Sequence, residues 1–151
     1  MTIADISNFV AVSDSLATAG QPTEVQLQEL KAAGFDAVIN LGLLDPKYCL
    51  PDEAGSVASL GMVYHHIPVS FQEPKADDFA AFCSALRSLR DRKLFVHCAM
   101  NFRVSCFVAL LGEAELGWTR AQADAHVRRL WEPDRVWSTF LQDMRRQLKL
   151  A

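Results

Sequence analysis

Hydrophobic residues recur at helical spacing in several stretches of the chain, and clear start and stop signals bound these stretches. Glycines flanked by apolar residues stand at Gly34, Gly61 and Gly117, a pattern that is typical of left-handed helix caps. Capping-box spacing, in which Thr and Gln side chains satisfy free amides at a helix start, occurs at residues 23–26 and 119–122. These signals predict a series of short helices with well-defined ends.

Apolar runs rich in β-branched and aromatic residues predict strands between the helices. The runs span residues 35–41, 62–69 and 94–98, with a weaker candidate at 8–12. Because strands alternate with helices, the sequence predicts an α/β fold with three layers. Its centre should be a mainly parallel sheet of four to five strands that is flanked by helices.

The helices differ in how much of their surface is apolar. The one before residue 94 has a single apolar face, formed by Phe79, Phe82, Leu86 and Leu89. Residues 104–111 are almost all apolar, so we expect that helix to be buried on every side. Five side chains of the last helix should face the core: Val136, Phe140, Leu141, Met144 and Leu148. We expect the three tryptophans to pack in this helical third: Trp118, Trp131 and Trp137.

Composition narrows the class of protein. The chain has 151 residues, and we expect one domain over residues 1–151. Its net charge of −3 argues against a nucleic-acid or anionic-membrane partner. It shows neither a signal peptide nor an apolar stretch of about 18 residues, so we expect a cytoplasmic protein with no membrane partner. The sequence does not predict the oligomeric state.

The segment from Phe95 to Ser105 carries the candidate chemistry. A strand ends in His97-Cys98, a tight loop follows, and an apolar helix begins. Free amides at a helix start bind anions, and the same field favours a thiolate over a thiol. Arg103 adds a planar fork that suits phosphate or sulfate oxygens. A thiolate, an anion cradle and an arginine together indicate nucleophilic attack on phosphorus or sulfur.

This loop resembles the signature loop of the cysteine-dependent protein tyrosine and dual-specificity phosphatases. It is more similar still to a bacterial branch of phosphatase-like domains, related to the phosphatase-like part of "beta-lactamase hydrolase-like" proteins. In that branch the loop reads His-Cys-x-x-Asn-x-Arg-x-Ser, as it does from His97 to Ser105. Residues 19–23, 34–41 and 66–69 also resemble that branch.

The resemblance implies a reaction and a set of roles. Cys98 would attack the phosphorus of a phosphomonoester, forming a cysteinyl-phosphate that water then hydrolyses. Arg103 and the amides of residues 99–103 would hold the phosphate oxygens, while Ser105 would stabilise the leaving thiolate and His97 would tune the thiol. The implied substrate-binding residues are His97, Ala99, Met100, Asn101 and Phe102.

The loop departs from the phosphatase pattern in two ways. Four residues rather than five separate Cys98 from Arg103, so either the loop is tighter or the arginine approaches the anion from another side. Asn101 stands where the family has a glycine, and Asn tolerates a left-handed backbone. The family's general-acid Asp is missing from residues 68–74, where Glu73 is the nearest carboxylate, and Asp45 is another candidate. We therefore expect aryl phosphates, which have good leaving groups, to be preferred over alkyl phosphates.

Two other functions stay open. Rhodanese-type sulfurtransferases also use a cysteine at a strand end with a loop tighter than that of the phosphatases, so Cys98 would carry a persulfide. The missing Asp is also compatible with a catalytically weak anion-binding module. We expect no metal, because no His, Cys or carboxylate set stands at metal-ligand spacing, and no other cofactor is implied. Of the remaining cysteines, Cys83 and Cys106 should be core, and Cys49 is a candidate for a disulfide with Cys98.

Overall fold

The computed structural model describes residues 2–150. Its five strands are β1 Val10–Ser13, β2 Leu16–Ala19, β3 Ala37–Asn40, β4 Val63–His66 and β5 Leu94–His97. They form one sheet in the order β1-β2-β5-β3-β4, in which β1 is antiparallel to β2 and the other pairs are parallel. The predicted mainly parallel α/β sheet is confirmed, and β5 is its central strand.

Helices cover both faces of this sheet. They are α1 Glu24–Ala32, α2 Glu53–Ser59, α3 Ala76–Ser88, α4 Phe102–Glu115, α5 Arg120–Arg128 and α6 Arg135–Gln147, after a 3-10 turn at Ile3–Asp5. The helices α1 and α2 bury apolar side chains on one face, and α3 to α6 bury theirs on the other. The predicted three layers are therefore present. None of the helices in residues 2–150 has the length and apolar character needed to cross a bilayer.

The strands explain why both layers are needed. Successive side chains of a strand point to opposite faces. Val38 and Phe95 accordingly pack with α1 and α2, whereas Ile39 and Val96 pack with α4. Residues 103–112 of α4 are all buried, so the prediction of a helix buried on every side is confirmed.

The local signals at helix ends also hold. Thr23 and Thr119 each accept a hydrogen bond from the amide of the Gln three residues later, and both capping boxes are complete. The three stop glycines have positive φ angles of 94°, 76° and 74° at Gly34, Gly61 and Gly117. Positive φ is the conformation that a left-handed cap requires.

The structure differs from the sequence analysis in three respects. The strand β2 was not predicted, because its Leu-Ala-Thr-Ala sequence carries little strand propensity and only burial between β1 and β5 favours it. Val136 and Leu148 do not point inward, since each is 39% exposed. They lie in the first turn and at the C-cap of α6, and the buried residues of the helix lie between them: Trp137, Phe140, Leu141 and Met144.

Candidate active site

Cys98 directly follows the last residue of β5, and α4 begins four residues later. Strand pairing places Ala19, His97 and Asn40 side by side at the carboxyl edge of the sheet. Ligands of open α/β sheets bind at this edge, where helix amino termini point free amides outward. Cys98 is 1% exposed, so the thiol lies at the base of the loop that joins β5 to α4. We call residues 98–101 the cysteine loop.

Asn101 ends this loop as the N-cap residue of α4. Its backbone is left-handed, with φ 68° and ψ 5°, as predicted for the residue in place of the family's glycine. The side chain is buried, and its Nδ2 donates to the Asn8 carbonyl at 2.8 Å and to the Thr18 hydroxyl at 3.1 Å. These two bonds compensate for the strain of the left-handed turn and fix where the helix starts.

The segments before β1 and after β2 both hold the cysteine loop by hydrogen bonds to its backbone. The Gln21 amide donates to the Ala99 carbonyl at 3.0 Å, and Asn8 Nδ2 donates to the Met100 carbonyl at 2.8 Å. A Cβ on Gly20 would lie 2.5 Å from the Ala99 oxygen. Only glycine fits there, which accounts for part of the Ala-Gly-Gln-Pro-Thr segment.

Arg103 is the second residue of α4 and is 5% exposed. Its Nη1 donates to the Val69 carbonyl at 2.9 Å, and its Nη2 lies 3.4 Å from the Tyr48 hydroxyl. The guanidinium carbon lies 5.9 Å from the centroid of the Phe71 ring. Its Nε is buried and has no hydrogen-bond partner among residues 2–150. The arginine is thus held from the loop after β4 and keeps one unused donor.

His97 is fully buried on the opposite side of the cysteine loop. Its Nε2 lies 2.6 Å from Glu53 Oε2, and its Nδ1 lies 3.1 Å from the Cys98 carbonyl oxygen. Gln21 Nε2 donates to the other oxygen of Glu53 at 2.7 Å. Burial alone would raise the pKa of the Glu53 carboxyl, but the hydrogen bond and charge of His97 outweigh it, so the pKa lies below the ordinary 4.5.

Sequence reasoning did not find Glu53. Its partners Gln21 and His97 lie 32 and 44 residues away in the chain, so no local spacing marks it. Its only local signature is its place as the first residue of a helix, where an acidic side chain is common.

Comparison with solved structures identifies the fold family. The DUF442 candidate phosphatase from Shewanella putrefaciens CN-32 is 31% identical in sequence, with a TM-score of 0.87. The match covers 97% of this chain and 96% of that one. The chain belongs to the DUF442 family. The resemblance to phosphatase-like domains that the sequence predicts is therefore confirmed.

Solved phosphatase structures with lower sequence identity share the fold of this chain. The active form of Tk-PTP is 19% identical with a TM-score of 0.79, covering 93% of this chain and 97% of that chain. The core catalytic domain of the PP-IP phosphatase SIW14 from S. cerevisiae is 13% identical with a TM-score of 0.76, covering 91% and 85%. No protein-family model and no curated protein sequence matches the chain.

Ser105 of the phosphatase-like domain is bonded away from the thiol. Its hydroxyl donates to the Phe102 carbonyl at 2.6 Å and accepts from the Trp131 indole N–H at 3.0 Å. The rings of Phe102 and Trp131 stack with centroids 4.6 Å apart and planes 4° apart. Trp131, which we expected simply to pack among the helices, therefore borders the cysteine loop. The role of Ser105 in stabilising a leaving thiolate stays a prediction.

The two candidate general acids lie on loops around the phosphatase-like site. Glu73 is exposed, and only its backbone amide is bonded, to Ser70. Among residues 2–150, its carboxylate has no hydrogen bond or ion pair to the cysteine loop or Arg103. Asp45 accepts from the Lys47 amide at 3.0 Å, three residues before the Tyr48 that reaches Arg103.

The four cysteines of the domain are free thiols in different surroundings. Burial raises the pKa of Cys83 to about 11 and that of Cys106 to about 12, which suits inert core residues. Cys49 is half-buried and forms no disulfide with Cys98 in this structure. Of the four, Cys98 alone lies between a strand end and a helix start, five residues before the buried Arg103.

Proposed function

We propose that the protein, as a single domain over residues 1–151, is a cysteine-dependent phosphomonoester phosphatase acting through a cysteinyl-phosphate. The observation that carries the proposal is that Cys98, in the loop between β5 and α4, shares this strand–loop–helix segment with a buried arginine that keeps an unused donor. A buried donor without a partner costs free energy, and a bound oxyanion would remove that cost. Membership of the DUF442 family, whose solved structure from Shewanella putrefaciens CN-32 is described as a candidate phosphatase, supports the same reaction.

The reaction proceeds in two displacements at phosphorus. The Cys98 thiolate forms the S–P bond as the ester P–O bond breaks, and the leaving alcohol or phenol takes a proton. With Glu73 as the candidate donor of that proton, its carboxylate takes a proton from the water that then attacks phosphorus. The S–P bond breaks, and the thiolate and inorganic phosphate are released. Arg103 and the amides of residues 99–103 hold the three equatorial oxygens in both steps. Ser105 would stabilise the thiolate, after a turn of its hydroxyl away from Phe102.

Two features favour aryl phosphates as substrates. The proton donor is the weakest part of the site, with exposed Glu73 as the candidate, and a phenol needs less help to leave than an alkyl alcohol. An aromatic cluster also lies beside Arg103. Phe71 lies 5.7 Å from Trp131 between ring centroids, and Trp131 stacks on Phe102. Such a surface suits the ring of an aryl ester.

Paired assays test the proposal. Hydrolysis of p-nitrophenyl phosphate should be lost in Cys98→Ser, with kcat lowered by at least about 10⁴-fold, as for other catalytic nucleophiles. A phosphotyrosine peptide should be cleaved faster than a matched phosphoserine peptide. Turnover that survives Cys98→Ser would exclude the covalent mechanism. Equal rates on the two peptides would exclude the aryl preference.

The same samples test the two rival functions. Sulfur transfer from thiosulfate to cyanide, with a Cys98 adduct heavier by one sulfur atom, would indicate the sulfurtransferase instead. Binding of inorganic phosphate or vanadate without turnover of any ester would indicate an anion-binding module.

A further inference from the structure

Gln21, Glu53 and His97 form a buried polar cluster behind the cysteine loop that the proposed reaction does not use directly. The side chain of His97 is 0% exposed and that of Glu53 is 3% exposed, although they come from different elements, β5 and α2. A carboxylate so far from water is costly unless every oxygen is satisfied. Here His97 satisfies one oxygen and Gln21 the other.

The partners of His97 determine its protonation. Glu53 is ionised near neutral pH because its pKa is lowered, and an ionised carboxylate only accepts hydrogen bonds. The other ring nitrogen, Nδ1, lies 3.1 Å from the Cys98 carbonyl oxygen, which is also only an acceptor. Both ring nitrogens must therefore carry a proton, and an imidazole with two N–H groups is a cation.

We propose that Gln21 and Glu53 are positioning residues that hold His97 as an imidazolium directly before Cys98. The inference rests on the proposed function, because it assigns these residues the task of preparing the attacking thiolate. The imidazolium places a positive charge against the backbone carbonyl of Cys98, in addition to the amides at the start of α4. Its Nδ1–H also fixes the orientation of the peptide that follows Cys98.

Gln21 connects this cluster to the loop itself. Its side chain holds Glu53, and its backbone amide donates to the Ala99 carbonyl. The Gly20-Gln21 part of the upstream segment thus packs against the cysteine loop with its backbone and supports the charge of His97 with its side chain. This accounts for a sequence feature that the reaction alone does not explain.

Other titratable groups facing the cluster do not replace Glu53. On β4, His66 lies close enough for its charge to favour the ionised form of Glu53, but its Nε2 is bonded to the Gly42 carbonyl oxygen at 2.7 Å. Tyr64 of the same strand interacts with Asn40, and burial together with the Glu53 charge raises the pKa of Tyr64 to about 12. It therefore stays neutral near neutral pH, and Glu53 is the carboxylate bonded to His97.

Nitrogen-15 NMR of the histidine rings tests the charge directly and needs no turnover. In the wild-type protein near neutral pH, both nitrogens of His97 should be protonated. In Glu53→Gln, the neutral side-chain amide does not compensate the positive charge of His97, so His97 should lose one proton at that pH. The matched control is Glu24→Gln, which also removes a carboxylate from the first residue of a helix but at an exposed site. A neutral His97 in the wild type, or an unchanged cation in Glu53→Gln, would overturn the proposal.

Alkylation of Cys98 by iodoacetamide, mapped by peptide mass, tests the consequence for the thiolate. Near neutral pH the rate should fall about tenfold or more in Glu53→Gln and stay unchanged in Glu24→Gln. The kcat/KM for p-nitrophenyl phosphate should fall about 10- to 100-fold, as when outer-shell partners of other reactive groups are lost. Glu53→Asp keeps the charge and should recover part of both rates.

A milder variant keeps the test decisive if Glu53→Gln folds poorly. Gln21→Ala removes one hydrogen bond from a half-buried residue and should shift the same readouts in the same direction by a smaller factor. Melting temperatures are recorded for each variant. If both variants lower only the melting temperature, while alkylation keeps its wild-type pH profile, the cluster is merely structural. If alkylation changes as expected but no ester is hydrolysed, the proposed function fails, and the positioning of His97 by Gln21 and Glu53 still holds.

Discussion

Two glutamates of this protein have almost fully buried side chains, and their partners differ. Glu113 of α4 is 4% exposed and accepts from Arg120 Nε at 2.6 Å and from Arg145 Nε at 2.8 Å. Arg145 also reaches Asp124 at 2.9 Å. Glu53 of α2, 3% exposed, is bonded instead to a histidine and a neutral amide.

The difference in partners corresponds to a difference in role. Two arginines are permanently charged, so Glu113 is compensated at any physiological pH and ties α4 to α5 and α6. It lies about 18 Å along α4 from the end of the cysteine loop, at 1.5 Å per residue. Glu53 has a partner whose charge depends on a proton, and that partner is adjacent to Cys98. Glu113 therefore has a structural role, whereas we assign Glu53 a role in preparing the Cys98 thiolate.

Removing the Glu113 charge should give the largest effect on stability. Glu113→Gln leaves Arg145, whose side chain is 11% exposed, with weaker compensation, and the expected loss is about 3 kcal/mol. Arg120 is 38% exposed and adds little, because water screens it. Urea unfolding measures the loss. Since the cysteine loop is untouched, kcat/KM per folded molecule should not change, and a clear fall in it would contradict the separation of the two regions.

Replacing either of two glycines by alanine tests the same comparison, between the cysteine loop and the surroundings of Glu113, through an added methyl group. An added Cβ at Gly20 would meet the Ala99 carbonyl oxygen of the cysteine loop, whereas one at Gly112 would meet the Trp118 ring near Glu113. Gly20→Ala should lower kcat/KM about 10- to 100-fold, because the loop must shift. Gly112→Ala should cost about 1–3 kcal/mol of stability and leave kcat/KM unchanged.

Assays of p-nitrophenyl phosphate hydrolysis and urea unfolding on both glycine variants provide the check. The comparison fails if Gly112→Ala loses as much activity per folded molecule as Gly20→Ala does. It also fails if Gly20→Ala keeps full activity, since the loop would then tolerate the displacement.

The sequence predicts those features that a few neighbouring residues determine. The capping boxes, the stop glycines and the left-handed Asn101 each depend on contacts within a handful of residues, and all are present. The position of Cys98 follows from a strand run next to an apolar helix. The fold class follows from the alternation of such segments along the chain.

The parts that the sequence does not predict depend on distant partners. Tyr48 reaches Arg103 across 55 residues, and Glu53 reaches His97 across 44. Trp131 comes to Ser105 only because α5 and α6 fold back onto α4. Strand β2 likewise forms because its neighbours bury it. In each case the free energy comes from tertiary contacts, which periodicity and local propensity do not encode.

Acid titration of stability gives the smallest expected effect and isolates the Glu53 side of the comparison. The folded-state pKa of Glu53 lies below its ordinary value of 4.5, so its ionised form stabilises the fold above that pH. As the pH falls from 4.5 towards the lowered pKa, the unfolded chain takes up the proton first and this contribution is lost. The difference in unfolding free energy between wild type and Glu53→Gln should therefore narrow as the pH falls below 4.5. Urea unfolding across the acid range measures the difference, with Glu24→Gln as the control. A difference that stays constant down to the most acidic conditions would mean that Glu53 is not ionised in the folded protein, and its assignment to the charge of His97 would fail with it.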